Sequence, residues 1–215
     1  MAPLELDDQR FIASMEAYAA DIPAGERRIV AIAGAPTSGK STLAGALDQR
    51  LNAALPGSTA LLPMDGYHYD DEVLGPRGWQ PRKGAPHTFD VGGYAASLRR
   101  LIANDEETVA VPRFDRDIEI ARAGAILIKR DVRLIVTEGN YLLLGDDPWP
   151  SLRPHFDVAV LLVAEMSTLE ARNRQRWVDF GLSEAAIKAK LDDNDMPNAR
   201  LIYDRSSEPD WIVRT

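Results

Sequence analysis

The sequence of 215 residues contains no cysteine. Disulfides, a cysteine nucleophile and a thiolate zinc site are therefore excluded, and a reducing compartment suits the chain. No apolar run approaches the roughly 20 residues that span a bilayer. The first residues, with Glu5, Asp7 and Asp8, hold no stretch apolar enough for a signal peptide. Positive charge is in deficit, with 25 Lys and Arg against 33 Asp and Glu and a net charge of −8. An acidic chain gains nothing from a phosphate backbone, which argues against nucleic acid as a partner. The expectation is a soluble, cytoplasmic protein with neither a membrane nor a nucleic-acid partner.

The rest of the composition is ordinary for a globular chain. Hydrophobic residues make up 45% and charged residues 27%, which argues against disorder. The length suits a single α/β domain over residues 1–215 with a sizeable core. Apolar residues recur at helical spacing from Leu6 to Ala20, with Asp7 or Asp8 as the N-cap. Arg28–Ala33 then reads as a strand buried on both faces. Ser41 to Leu55 returns to helical spacing. Further strands are expected at Thr59–Met64, Thr108–Val111, Ala125–Ile128, Leu134–Thr137, Val158–Val163 and Trp211–Val213. Helices are expected at Val91–Ala103, Ser167–Phe180 and Ser183–Leu191. This alternation predicts a doubly wound parallel sheet with helices on both faces and a helical lid over about 167–195. Residues 66–90 have little periodicity, and a loop that long in one domain is usually functional or mobile.

Gly34-Ala35-Pro36-Thr37-Ser38-Gly39-Lys40-Ser41 matches G-x-x-x-x-G-K-[ST] at every fixed position. Its context is right, with a buried strand before it and an amphipathic helix after it. In this motif the glycines let backbone N–H groups and the helix N-terminus point at phosphate oxygens. Lys40 reaches the β and γ phosphates, and the Ser41 hydroxyl can ligate magnesium. ATP and magnesium are the expected cofactors.

Asp65 and Glu138 each end a predicted strand, where ligands sit in open α/β sheets. Leu134–Glu138 has the apolar-run-then-acid form whose carboxylate holds magnesium; otherwise Glu138 is a turn acid. Asp65 is the candidate base for a hydroxyl acceptor, or else a cap on the turn before Gly66. Tyr67, His68, Arg77, Arg82, Lys83 and His87 mix rings and cations in the long loop, which suits a polar organic acceptor or a solvated surface. Asp90 reads as the cap of the next helix. Arg113, Asp115 and Arg116 follow a strand and could close over that acceptor. Arg172 and Arg176 share one face of a charged helix, as lid arginines that neutralise developing charge or as solvated residues.

Together these residues resemble the P-loop kinase family of uridine kinases, phosphoribulokinase and bacterial pantothenate kinase. The resemblance is carried by Gly34–Thr42, Met64–His68, Arg82–Asp90 and Glu138-Gly139-Asn140-Tyr141. It implies Asp65 as base, Lys40 and Ser41 on phosphate and magnesium, and a lid arginine near Arg172–Arg176 on the transferring phosphoryl. It extends nucleotide binding through Thr42 and acceptor binding to Asn140 and Tyr141, and it implies a homodimer, as in many members. Two departures stand out. The chain is shorter than bacterial pantothenate kinases, and Asp-Gly-Tyr-His replaces the Asp-Ser-Phe-Tyr of uridine kinases. Compact members with this pattern go by the name of kinases of a fructose transport system. A sugar, fructose in particular, is thus the leading acceptor, with pantothenate or a nucleoside as alternatives. A regulatory ATPase or switch is the competing class; the Asn-Lys-x-Asp segment of a GTPase is absent.

Overall fold

The β-branched run Arg28–Gly34 offers water no polar face, so it is stable only with apolar cover on both sides. In the computed structural model, which describes residues 3–215, this run is an inner strand of a parallel sheet. The chain begins with β1 (Leu4–Leu6) and α1 (Asp8–Ala20), then β2 (Arg28–Gly34), α2 (Lys40–Ala54) and β3 (Thr59–Pro63). After a 3-10 turn at Met64–Tyr67 come the single turn α3 (Asp71–Leu74) and α4 (Val91–Ala103). A ribbon follows, β4 (Thr108–Asp115) and β5 (Ile120–Lys129), then β6 (Leu134–Gly139) and β7 (Val158–Val163). The chain closes with α5 (Met166–Asp179), α6 (Glu184–Lys190), a π-turn at Leu191–Asp195, α7 (Met196–Arg205) and β8 (Trp211–Arg214).

Six strands form one sheet in the order β1-β8-β7-β2-β6-β3, and every pair in it is parallel. Alternate residues of β2 serve different layers, as a strand's period of two requires. Ile29, Ala31 and Ala33 pack with Tyr94 and Leu98 of α4 and Ile202 of α7. Val30 and Ile32 face the other way, onto Phe11 and Met15 of α1 and Leu43 and Leu47 of α2. The doubly wound sheet therefore forms as the alternation predicted.

Two local expectations are corrected. Thr108–Val111 and Ala125–Ile128 belong to longer strands that leave the main sheet and pair with each other antiparallel. Most of β5 is exposed, Leu127 included, so its apolar run is covered on one face only, unlike a strand inside a doubly covered sheet. At the start, Leu6 is not helical but ends the edge strand β1, which pairs with β8. The Asp7 carboxylate accepts from Arg10 N at 2.8 Å and so starts α1 one residue later. Among the described residues no helix is long and apolar enough to cross a membrane.

Candidate active site

A cleft of about 910 Å³ opens at the carboxyl ends of the strands. The phosphate loop forms its floor, between β2 and α2. Its bends need unusual backbone: Gly39 has φ +101°, and a Cβ on Gly34 would lie 2.7 Å from Leu162 O. Gly39 is also the N-cap of α2 and brings no side chain to occupy the helix's first amides, so these can serve an anion. Ser38 is buried, and its Oγ has no hydrogen-bond partner among the described residues. Lys40 is buried too, with Nζ donating to Ala35 O at 3.0 Å.

Three elements bring Lys40 to two carboxylates. Glu138 of β6 is in register with Ile32 of β2 on one side and Pro63 of β3 on the other. Asp65 follows Pro63 by two residues, in the 3-10 turn. Burial pulls the Lys40 ammonium below its ordinary range, and Glu138 and Asp65 oppose that. Burial pushes the Glu138 carboxyl up; Asp65 adds to this, while Lys40 and a hydrogen bond from Ser41 pull it down. These groups therefore lie close enough to bias one another's charge. Arg116 Nη2 donates to Asp65 Oδ2 at 2.8 Å.

The residues present fit magnesium and a nucleotide triphosphate. The uncapped α2 amides, the partnerless Ser38 Oγ and the buried Lys40 form an anion cradle. The Ser41 hydroxyl beside the Glu138 carboxylate is an all-oxygen donor pair, which suits a metal that is shared with phosphates and keeps its waters.

Above that floor the cleft is lined by His68, Asp71, Gln80, Lys83, Phe114, Asp117, Glu119 and Asn140. The helical segment supplies Arg176, Trp177, Phe180, Lys190, Asn194, Asp195 and Asn198. His68 lies between Phe89 and Phe114, with ring centroids 4.0 and 4.7 Å away. Its Nδ1 is 2.8 Å from Asp65 O. A carbonyl can only accept, so Nδ1 carries the proton and Nε2 is left as an acceptor. Trp177 Nε1 donates to Asp195 Oδ2 at 2.6 Å, and burial pushes the Asp195 carboxyl up.

Of the residues singled out in the sequence, Pro36, Thr37, Gly39, Lys40, Ser41, Thr42, Asp65, His68, Lys83, Glu138, Asn140 and Arg176 line this cleft. Gly34, Ala35 and Ser38 shape the loop from beneath. Six expected site residues lie elsewhere. Tyr67 and Tyr141 are buried in the core, the first edge-on to Tyr94 and the second donating to Gly84 O at 2.7 Å. Arg82 stands behind the wall and donates to Asn198 Oδ1 at 3.2 Å. His87 packs edge-on against Trp79. Arg113 is exposed on the ribbon, since side chains alternate along β4 and Phe114 takes the cleft side. Arg172 reaches the carbonyls of Thr37 and Ser38, on the loop's own backbone.

Sequence reasoning missed Asn194, Asp195 and Asn198. A π-turn has no readable period, although Asn194 and Asn198 stand four apart on one face and are hydrogen-bonded at 3.2 Å.

No protein-family model matches the chain. It is 31% identical over 197 residues to a Schizosaccharomyces pombe protein named "Putative uridine kinase C227.14", covering 88% of this chain and 83% of that one. A pantothenate kinase of Limosilactobacillus reuteri is 28% identical over 151 residues, 69% of this chain and 49% of the relative. Among solved structures, one named "putative fructose transport system kinase", from Silicibacter sp. TM1040, is similar at a TM-score of 0.87. Identity there is 39%, over 96% of this chain and 98% of that one.

Proposed function

The chain belongs to the P-loop kinase family of uridine and pantothenate kinases, a family of phosphotransferases, and from that premise we propose that it phosphorylates a neutral polyhydroxylated small molecule, with a sugar such as fructose as leading acceptor. The observation that carries this is the meeting of Lys40, Asp65 and Glu138 at the floor of a cleft whose upper wall is rich in amides and acids. A nucleotide switch has no need of such a wall. Beyond Asp65, the wall holds Asp71, Asp117, Glu119 and Asp195 against Lys83, Arg116, Arg176 and Lys190. Lys83 is already committed, to Asp71 Oδ1 and Glu119 O, both at 2.8 Å. With acids and cations in balance, the wall offers an anionic acceptor such as pantothenate no net attraction. Hydroxyls find acceptors and donors in Gln80, Asn140, Asn194 and Asn198, and Phe114, Trp177 and Phe180 offer ring faces.

Bound Mg-ATP supplies the phosphoryl group and the metal's charge stabilisation. Lys40 and the α2 amides would hold the β and γ phosphates, and Ser41 and Glu138 would hold the metal. Asp65 takes the proton of the acceptor hydroxyl, and Nε2 of His68 receives a second hydroxyl. Arg176, carried on the lid segment, balances charge on the transferring group. Residues 66–90 form one wall for the acceptor, and residues 167–195 close from the other side.

The test is ADP release from Mg-ATP with fructose and other sugars, ribonucleosides and pantothenate. Stimulation by a sugar, lost in Asp65→Asn, is the expected result. Stimulation by pantothenate alone would refute the charge argument, and release unaffected by Asp65→Asn would refute the base.

A further inference from the structure

The tip of the β4–β5 ribbon is held on several sides. Pro112 lies so close to Gly66 that a Cβ there would be 2.5 Å from the Pro112 carbonyl oxygen. Phe114 packs against His68 with the two rings tilted by 40°. Arg122 Nη1 donates to Asp115 Oδ2 at 2.9 Å, and Asp117 N donates to Asp115 Oδ1 at 3.2 Å. On the far side of the tip, Lys83 donates to Glu119 O. An exposed hairpin needs no such anchoring for itself. What it delivers is Arg116, half exposed in the cleft, with Nη2 on the Asp65 carboxylate.

The guanidinium sits in a crowded corner. It is among the charges that pull down the ammonium of Lys40 and the guanidinium of Arg176, after burial, and that pull down the carboxyl of Glu138. Lys40, Arg116 and Arg176 thus feel one another's charge around Asp65, with Glu138 also opposing Lys40 and with Asp195 and Glu119 opposing Arg176. Like charges gathered this closely repel until an anion joins them.

We infer that Arg116 bridges the base and the γ-phosphate, as a second phosphoryl-binding arginine carried by the ribbon rather than by the helical lid. This rests on the kinase reading. A guanidinium has five donors in a planar fork. With Nη2 on Asp65, the donors of Nη1 and Nε are left for a phosphate oxygen. One rigid group then fixes the separation of the proton acceptor and the transferring phosphoryl, which is what in-line transfer requires.

Titration calorimetry with Mg-ADP and with the magnesium complex of β,γ-imido-ATP reads this without turnover. Arg116 is exposed enough for its loss to leave the fold intact. Arg116→Ala should weaken the imido analogue about tenfold to a hundredfold, the range of a charge-assisted hydrogen bond. It should leave ADP within about twofold, and Arg116→Lys should retain part of the difference. Unchanged affinity for the imido analogue in Arg116→Ala would overturn the inference and leave Arg116 as a mere anchor for Asp65. Equal loss for both nucleotides would overturn it as well, because the effect would not belong to the γ-phosphate. A wild-type chain that binds neither nucleotide would instead refute the kinase reading on which the inference stands.

Discussion

Gly66→Ala should damage the site through sterics alone. Gly66 follows Asp65, and an added Cβ would meet Pro112 O at 2.5 Å, Pro112 C at 2.7 Å and Arg113 N at 3.1 Å. All three are backbone atoms of β4, so no flexible side chain can swing away. A carbon comes no nearer than about 3.3 Å to a carbonyl oxygen, so ribbon and turn must separate by roughly 0.8 Å. Overpacking of this kind costs about 1–3 kcal/mol, or about 2–4 °C of melting temperature per kcal/mol in a chain of this length. If the ribbon moves as a unit, the 2.8 Å contact from Arg116 to Asp65 stretches to about 3.6 Å and stops being a hydrogen bond. A misplacement near 1 Å costs up to about 100-fold in rate. The expected outcome is a loss of about 1–3 kcal/mol in urea unfolding, with kcat down about tenfold to a hundredfold and the KM for ATP raised as Arg116 is carried away with the ribbon. Unfolding within about 0.5 kcal/mol of wild type, the range of an innocuous surface change, would refute the reasoning, because it would mean the ribbon is not seated on Gly66.

Gly45→Ala carries the opposite sign: nothing lies within 4 Å of its added Cβ, inside α2, so urea unfolding should show a gain of about 0.5–1 kcal/mol. Lys40→Ala should abolish turnover and weaken Mg-ATP binding by calorimetry, whereas Asp65→Asn should keep nucleotide binding and lose most transfer; near-normal turnover in Asp65→Asn would remove it as base. Burial holds the His68 imidazole below its ordinary 6.5, with Lys83 and Arg116 reinforcing this and the Asp65 charge and carbonyl opposing it. The unfolded chain therefore takes up that proton first, so this contribution to stability is full at neutral pH and is lost as pH falls through about 6.5. Unfolding at pH 7.5 and at pH 5.5 should show a greater acid loss in wild type than in His68→Phe, and equal losses would count against it.

The parts of the molecule legible in the sequence are those in which local chemistry and tertiary structure agree. The phosphate loop is legible because each fixed residue answers a backbone or phosphate demand within eight residues. The buried strands are legible because a parallel sheet covered on both faces admits only apolar runs, and Val158–Val163 is found as expected. Asp65 and Glu138 follow from the rule that ligands gather at strand ends. Where the expectations went astray, the deciding partner was remote in sequence. Tyr67 and Tyr141 look like acceptor residues because they flank catalytic motifs, yet their rings complete the core with Tyr94, Phe89 and Trp149. Arg113 and Arg116 were alike as sequence; the pleat of the ribbon and its seat on Gly66 send one to solvent and the other to Asp65.

The same distinction bears on what can be altered. The loop from Gly34 to Ser41 tolerates little, since Leu162 O stands 2.7 Å from where a Gly34 Cβ would be. The upper wall is different: Gln80 comes from one turn, while Asn194 and Asn198, hydrogen-bonded to each other, come from a helical segment remote from it in sequence. On the proposed function, acceptor choice would reside in residues with no common motif, on segments that can drift in sequence without disturbing the phosphate floor. One fold can in this way keep its phosphoryl chemistry while its acceptor changes, and a sequence reader sees the first far more sharply than the second.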